Sequence, residues 1–547
     1  MTKEQNPIQQ TRELIKQVLE FIEQSPWRDM FAARLHVLYE KADSPCELAI
    51  AGRVKAGKSS FLNALLGDDL AMVGTTETTA TINFFKFGCP LDHMRPVKVV
   101  WNDGKEEWQT KKFLNSLQGN TKEILQRAKN IDHLEYYINN PILHNITLVD
   151  TPGTGALVDE HENRVNDYLC VEKEALRKKH NDQSVSLKEK ADAVVVITEH
   201  VPTATTSELV SRFNDNTSAF NSLGIMTKID TENETVDGWH RRCADYSQML
   251  KQQLNTIIPI SAGVYRYTIK LQEENKLEKI QSMLRQIPDE DGLFEELVGQ
   301  STIFLSNDPD TNELFDSFGL SYKDRKAMVG DLPWRVFYCI AKEVYLNNIK
   351  DAVRNLIEYS GMEKVRTLLE HQFFNRSRII RCSKIVVQVH AILRELTNRY
   401  LYDTRIEVNN RDKYLNLIKT ANTDADIVSA LVRFVEKNIC TRTQYDAYEK
   451  KISMLIRKTE QVQQSFSGTD NCNEALLLLE RKRNYFRPNE ILELEWIFNK
   501  YVNQSCPIKT SYAKRQIFWR SKYNMVVDAD VKRIIELVIH AYGTLKP

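Results

Sequence analysis

Gly52-Arg53-Val54-Lys55-Ala56-Gly57-Lys58-Ser59 decides how this chain is read. The apolar run Glu47-Leu48-Ala49-Ile50-Ala51 before it reads as a strand. Ser60-Phe61-Leu62-Asn63-Ala64-Leu65-Leu66 after it reads as the first turns of a helix closed by Gly67. Strand, glycine loop and helix in that order are the setting of a phosphate-binding loop. The glycines let backbone N–H groups turn toward an anion, and the helix N-terminus adds its partial positive charge. On that reading Gly52, Val54, Lys55, Ala56, Gly57, Lys58, Ser59 and Ser60 line a nucleotide. Lys58 reaches its β- and γ-phosphates and the Ser59 hydroxyl holds Mg2+.

Downstream segments follow in the order such a site needs. The threonine-rich stretch from Gly67 to Thr81 precedes the strand pattern Ile82–Phe87 and reads as a switch that closes on the γ-phosphate and Mg2+. Thr79 is the favoured metal ligand there, ahead of Thr78. Asn145-Ile146-Thr147-Leu148-Val149-Asp150-Thr151-Pro152-Gly153 is an apolar strand that ends in an acid. Asp150 stands where a carboxylate holds the metal's water, and Gly153 can offer its N–H to the γ-phosphate. Asp192–Thr198 is a continuous apolar run, as in a central parallel strand. Asn221-Ser222-Leu223-Gly224-Ile225-Met226-Thr227-Lys228-Ile229-Asp230 is the next, and it ends in Thr227-Lys228-Ile229-Asp230. A carboxylate at Asp230 accepts from guanine N1–H and its exocyclic amine. Adenine would leave that carboxylate unpaired, at a cost of about 1–3 kcal/mol. The stem of Lys228 covers the purine face, and the backbone of Ser261 and Ala262 is placed to meet the guanine carbonyl.

Bulk composition limits the alternatives. A chain of 547 residues exceeds one hydrophobic core. Its 42% hydrophobic and 27% charged residues are those of a globular protein. Lys and Arg together number 74, as do Asp and Glu, so no net field marks a nucleic-acid binder. The start, Met1–Pro7, has no apolar core of a secretory signal, and no apolar run approaches 18 residues. Nine scattered cysteines without a Cys-x-x-Cys pair fit a reduced, cytoplasmic setting.

Outside the nucleotide segments the pattern is helical. Leu14, Val18, Phe21 and Ile22, then Phe31, Leu35 and Leu38, are spaced as two helices broken near Pro26. They are expected to pack against helices from the far end of the chain. Residues 265–345 read as irregular and acidic, through Asp289-Glu290-Asp291 and Asn307-Asp308-Pro309-Asp310. From Ile379 to Pro547 the text is helical, with breaks expected near Asn422, Gly468, Pro488 and Pro507. Glu480–Arg487 and Tyr512–Tyr523 interleave cations with aromatics. Such segments sit at anionic lipid, on nucleic acid, or simply on the solvated and core faces of bundle helices. No stretch reads as a hydrophobic membrane paddle.

Taken together, Gly52–Ser59, Thr79, Asp150–Gly153 and Thr227–Asp230 resemble the dynamin superfamily of large GTPases, and bacterial dynamin-like proteins in particular. Thr227 in the place of an asparagine, the long gap between switches, and Phe373–Ile380 at the domain's end carry the resemblance to the bacterial members. It implies an α/β P-loop GTPase domain, a mostly parallel sheet flanked by helices, over residues 45–385. It also implies an α-helical bundle built from N-terminal helices (1–44) and C-terminal helices (386–547). GTP and GDP with Mg2+ are the implied ligands. Pairing of G domains, a partner dynamin-like protein and peripheral contact with membrane are the implied associations, with no nucleic acid. Two departures stand out. Small GTPases carry a water-orienting glutamine where this chain has Thr154, and dynamins often carry Gln-Ser where it has Val54-Lys55. Lys55 is therefore expected either to supply positive charge at the β–γ bridge itself, joining Lys58 and Thr79 as the catalytic set, or to point to solvent.

Overall fold

Cys46–Gly52 forms β1, a strand of small and apolar residues buried along its whole length. The structure, a computed structural model, describes residues 7–53, 55–67, 81–90, 95–117, 130–151, 191–199, 222–231, 236–250, 257–290, 292–374, 376–421, 423–498 and 510–544. Eight further described strands follow: β2 (Ile82–Phe87), β3 (Val97–Trp101), β4 (Glu106–Gln109), β5 (Ile131–Ile138), β6 (Ile146–Asp150), β7 (Ala193–Glu199), β8 (Ser222–Thr227) and β9 (Ile257–Pro259). They build one sheet in the order β4-β3-β5-β2-β6-β1-β7-β8-β9. The half from β1 to β9 is parallel: Gly52 lies opposite Ile197, Glu199 opposite Thr227, and Met226 opposite Pro259. The other half is mixed. β2 runs parallel to β5 but antiparallel to β6, and β3 runs antiparallel to both β4 and β5.

Burial explains this division. β1, β6 and β8 are buried at every residue, and β7 at all but its last. Strands covered on both faces need continuous apolar text, which these have. The β3–β4 hairpin turns at Asn102-Asp103-Gly104, where Gly104 has φ +84° and its N–H reaches the Trp101 carbonyl at 2.9 Å. That hairpin is an addition to the sequence reading.

The molecule divides into two compact units. One comprises Glu47–Asn375 with Asn473–Pro547, the other Met1–Cys46 with Arg376–Cys472. In the first, helices fill the region read above as irregular, including Ala262–Glu273, Pro309–Ser317, Tyr322–Val329 and Trp334–Leu346. The acidic text at Asn307-Asp308-Pro309-Asp310 marks the start of one of them. Asp308 caps Pro309–Ser317, accepting the Thr311 N–H at 3.0 Å, and Pro309 follows it at the first helical position. Phe294, Phe304, Phe315 and Phe337 form the core of this helical layer.

In the second unit the N-terminal helices Pro7–Glu23 and Arg28–Lys41 share a core with the middle of the chain. Ile15, Val18, Ile22, Phe31 and Leu35 pack with Val389, Leu393, Ile452 and Leu455. Trp27 meets Tyr448 edge-on at 5.3 Å, and Arg34 pairs with Glu395 at 2.9 Å. Gly468 breaks nothing. It lies inside the helix Arg442–Arg481, because one glycine costs about 1 kcal/mol and the buried Tyr445, Ile452, Leu455 and Phe466 outweigh it. The helices Tyr402–Thr420 and Ala425–Asn438 expose Tyr402, Ile406, Leu417, Ile427, Leu431 and Phe434, up to 68% at Leu417. Spaced three, four or more apart, these residues form no apolar run in the sequence, yet each stands on exposed helix surface.

Candidate functional site

The phosphate loop leaves β1 at Gly52 and enters the helix Lys58–Leu66 through Gly57. Each glycine has its own reason. A Cβ on Gly52 would lie 2.3 Å from the Ile197 carbonyl oxygen of β7, so strand approach excludes any side chain. Gly57 is left-handed at φ +89°, and its missing Cβ faces Thr227 Oγ1 at 3.3 Å. Lys58 is buried, and its ammonium donates to the carbonyls of Gly52 (3.1 Å) and Arg53 (3.0 Å). Burial lowers its pKa, against the attraction of Asp150. Ser59 and Ser60 are half-buried in the first helical turn.

Asp150 ends β6 in full burial, opposite Asn83 of β2. Neither of its carboxylate oxygens has a hydrogen-bond partner among the described residues. Burial pushes its pKa up to about 6, against the Lys58 charge and the Asn83 amide. Buried polar groups are nearly always satisfied, so two orphaned acceptors at the carboxyl edge of a sheet mark a place for a cation or its water. With the Ser59 hydroxyl near the loop's end, this donor set fits a hydrated Mg2+.

The base side is bonded to the phosphate side. Thr227 Oγ1 donates to the Ala56 carbonyl at 2.6 Å and lies 3.3 Å from the Thr198 carbonyl. The Lys228 ammonium donates to the Lys55 carbonyl at 2.6 Å and pairs with the Glu199 carboxylate. Lys55 (φ +65°) and Lys228 (φ +61°) are both left-handed, a conformation that costs a non-glycine residue about 1–2 kcal/mol. The Lys55 side chain is exposed. Asp230 accepts from Ser261 Oγ at 2.5 Å, and the same Ser261 oxygen caps the helix Ala262–Glu273 by accepting the Val264 N–H at 3.1 Å. Ser261's own N–H is spent on the Ser360 carbonyl at 2.9 Å, so its hydroxyl is what it brings to the base side. Ala262 is buried at the helix start.

Gly52, Lys55, Ala56, Gly57, Lys58, Ser59, Ser60, Asp150, Thr227, Lys228, Asp230, Ser261 and Ala262 thus all lie at the carboxyl ends of β1, β6, β8 and β9, in the turns that follow, or in the first turn of the next helix. Val54, Thr79 and Gly153, with Thr78 and Thr154, lie outside the described residues. Sequence reading missed Glu199. Its signal was the one that gave Asp150, an acid closing a buried apolar strand.

The Dynamin family model matches residues 48–229, less than half of the chain. Isoniazid-induced protein IniC of Mycobacterium tuberculosis is 30% identical over 122 residues, 22% of this chain and 23% of that protein. Dynamin-like protein 1 and Dynamin-like protein 2 of Campylobacter jejuni are 31% identical over 104 residues and 32% over 114. Those matches cover 14% and 17% of the Campylobacter proteins, so the similarity spans less than a quarter of each relative's length. Two solved chains, described as an oligomerised bacterial dynamin pair for long-range sensing and tethering of membranes, align along 99% and 100% of this chain. Their identities are 16% and 15%, and the TM-scores are 0.32 and 0.33. Over residues 48–229, then, the chain is similar to the dynamin family, bacterial dynamin-like proteins among them.

Proposed function

We propose that this chain is a dynamin-like GTPase that hydrolyses GTP to GDP and phosphate, pairs through its nucleotide domains, and couples turnover to movement of its helical unit. The observation that carries the reading is the direct bonding of the Thr227–Asp230 turn to the phosphate loop, 171 residues away between Thr227 and Ala56. A phosphate cradle and a base-reading carboxylate are thereby held in one frame.

The roles follow from the donors. Lys58 exchanges the carbonyls of Gly52 and Arg53 for phosphate oxygens, a better partner for an ammonium. Gly57 N–H points away from Thr227, because the Ala56 carbonyl across the same planar trans peptide points toward it. Ser59 and Asp150, with Thr79, would hold Mg2+, which when bound would supply positive charge to the phosphates. Asp230, its rotamer fixed by Ser261, accepts from the guanine edge while the Lys228 stem covers the ring. Lys55 supplies charge to the loose transition state of phosphoryl transfer.

Purified protein with Mg2+ should release phosphate from GTP and not from ATP, and should bind a fluorescent GDP analogue that excess GDP displaces. Equal use of ATP, or binding of neither nucleotide, rejects the reading.

Membrane contact is a second proposal, favoured by the exposed Leu417, Ile427, Leu431 and Phe434. No helix among the described residues is long and apolar enough to cross a membrane, so contact would be made from the surface. Co-sedimentation with liposomes should fall when Leu417 and Phe434 are both replaced by Asp. Sedimentation that does not depend on these residues ends this proposal.

A further inference from the structure

Three pairs of consecutive residues meet beside the phosphate loop. Thr227 and Lys228 of the base turn face Ala56 and Lys55 of the phosphate loop on one side. On the other side they face Thr198 and Glu199, the last two residues of β7. Each donor of the base turn is therefore held between a phosphate-loop carbonyl and the end of β7. The outer rung is the charged one. The Lys228 ammonium joins the Glu199 carboxylate to the Lys55 carbonyl, and the β7–β8 register sets Glu199 directly opposite Thr227.

We propose that Glu199 is a positioning residue for guanine-nucleotide binding: it anchors the Lys228 ammonium on the Lys55 carbonyl, and so fixes the lysine stem over the purine. The inference rests on the guanine-nucleotide reading and adds to it a residue and a role. Stability is a poor explanation for the pair, because the two side chains are 37% and 39% exposed. Exposed ion pairs add little to folding. Geometry is a better one. A lysine chain is long and flexible, and without a carboxylate its ammonium has many alternatives in water. With Glu199 in place, the ammonium already occupies the position in which the stem can cover a ring. Binding then orders less of the chain and loses less entropy. The same contact holds the Lys55 carbonyl, so loss of the anchor reaches the phosphate loop through a residue at φ +65°.

The test is release of a fluorescent GDP analogue from the full-length protein in Mg2+, chased with excess GDP. Wild type is compared with Glu199→Ala, Glu199→Gln, Lys228→Ala and the double variant Glu199→Ala/Lys228→Ala. Glu199→Ala should release the analogue about tenfold faster, the loss of one charge-assisted contact. Glu199→Gln, which keeps an acceptor and the shape, should fall between it and wild type. KM for GTP should rise in Glu199→Ala while kcat at saturation stays within about twofold, the signature of lost ground-state binding. The double variant should release no faster than Lys228→Ala, because Glu199 acts only through that lysine. Unchanged release in both Glu199 variants overturns the inference, as does a double variant in which the two effects multiply. A wild-type protein that holds no guanine nucleotide overturns the parent reading instead, and the two failures are distinguishable in one experiment.

Discussion

Burying a carboxylate costs a protein stability, and Asp150 is fully buried with no well-formed hydrogen bond to either oxygen among the described residues. Its pKa stands at about 6, raised from 3.8 mainly by burial. Between those two values the folded chain keeps a proton that the unfolded chain has lost. Stability of the nucleotide-free protein therefore falls as pH rises from about 4 to about 6, and stays lower above that. The full shift corresponds to at most about 3 kcal/mol. Asp150→Asn should raise the melting temperature of the nucleotide-free protein at pH 7.5, with the gain vanishing near pH 4, and should lose Mg2+-dependent GTP binding. A variant less stable than wild type at pH 7.5 contradicts this account. Lys55 gives a second prediction. Its left-handed backbone suits glycine, so Lys55→Gly should leave stability intact or raise it by about 1 kcal/mol. It should nonetheless lower GTP turnover about 100-fold with GTP affinity nearly unchanged, if the exposed ammonium serves the β–γ bridge. Unchanged turnover would return Lys55 to solvent. Glycine itself teaches a finer lesson here. Sequence reading gave Gly52 and Gly57 one purpose, freedom to face an anion. At Gly52 the structure shows another, the closeness of β7, which no local pattern encodes.

At the scale of elements, the cation–aromatic text of the C-terminal helices shows what periodicity leaves open. Arg515 and Lys522 of the helix Tyr512–Met525 meet Glu493 and Glu490 of the helix Pro488–Ile497. Arg481, Lys482 and Arg483 meet Asp530, Asp528 and Glu495. These cations therefore serve packing, while Arg520 stays exposed. Glu493 is the hub. It is fully buried and accepts from Arg515 Nε (2.8 Å), Trp519 Nε1 (3.0 Å) and Tyr542 Oη (2.5 Å). Glu493→Ala leaves a guanidinium, an indole N–H and a phenol without their acceptor and should cost about 3 kcal/mol in chemical denaturation. Arg520→Ala should cost under about 0.5 kcal/mol. Similar small effects for both would show that the buried network contributes nothing. The strands at the site were legible because continuous apolar runs ending in Asp150 and Thr227 admit few other readings. The β3–β4 hairpin carried a readable Asn102-Asp103-Gly104 turn, but Val97–Trp101 and Glu106–Gln109 are short, and the second is mostly polar. The short helices of 262–346 stayed hidden because their caps, Ser261, Asp308 and Ser321 among them, look like loop text until the following turn is known.

Across the whole molecule, an amphipathic helix announces that one face is buried and says nothing of what covers it. The expected division placed 386–547 in one bundle. The compact units group Arg376–Cys472 with the N-terminal helices and Asn473–Pro547 with Glu47–Asn375. Motif order, by contrast, survives any arrangement of helices, because the site is assembled from strand ends of one sheet. What that site lacks in sequence sets the last prediction. Thr154 stands where small GTPases carry a water-orienting glutamine, so a single chain is expected to orient water poorly. If a second nucleotide domain completes the site, the active species is a dimer. Its fraction grows with total protein in the dilute range and saturates well above the dissociation constant. Turnover per chain should therefore rise about linearly with protein concentration when dilute and level off when concentrated, whereas the alternative function, a GTP-dependent switch or scaffold that recruits partners with little turnover, would give a flat line. Phosphate release at saturating GTP over a hundredfold range of protein concentration separates the two. Lys58→Ala, which removes the phosphate-loop ammonium, should abolish the rate at every concentration and so exclude a contaminating enzyme. A flat, low rate would leave guanine binding intact and remove dimer-activated hydrolysis from the proposal.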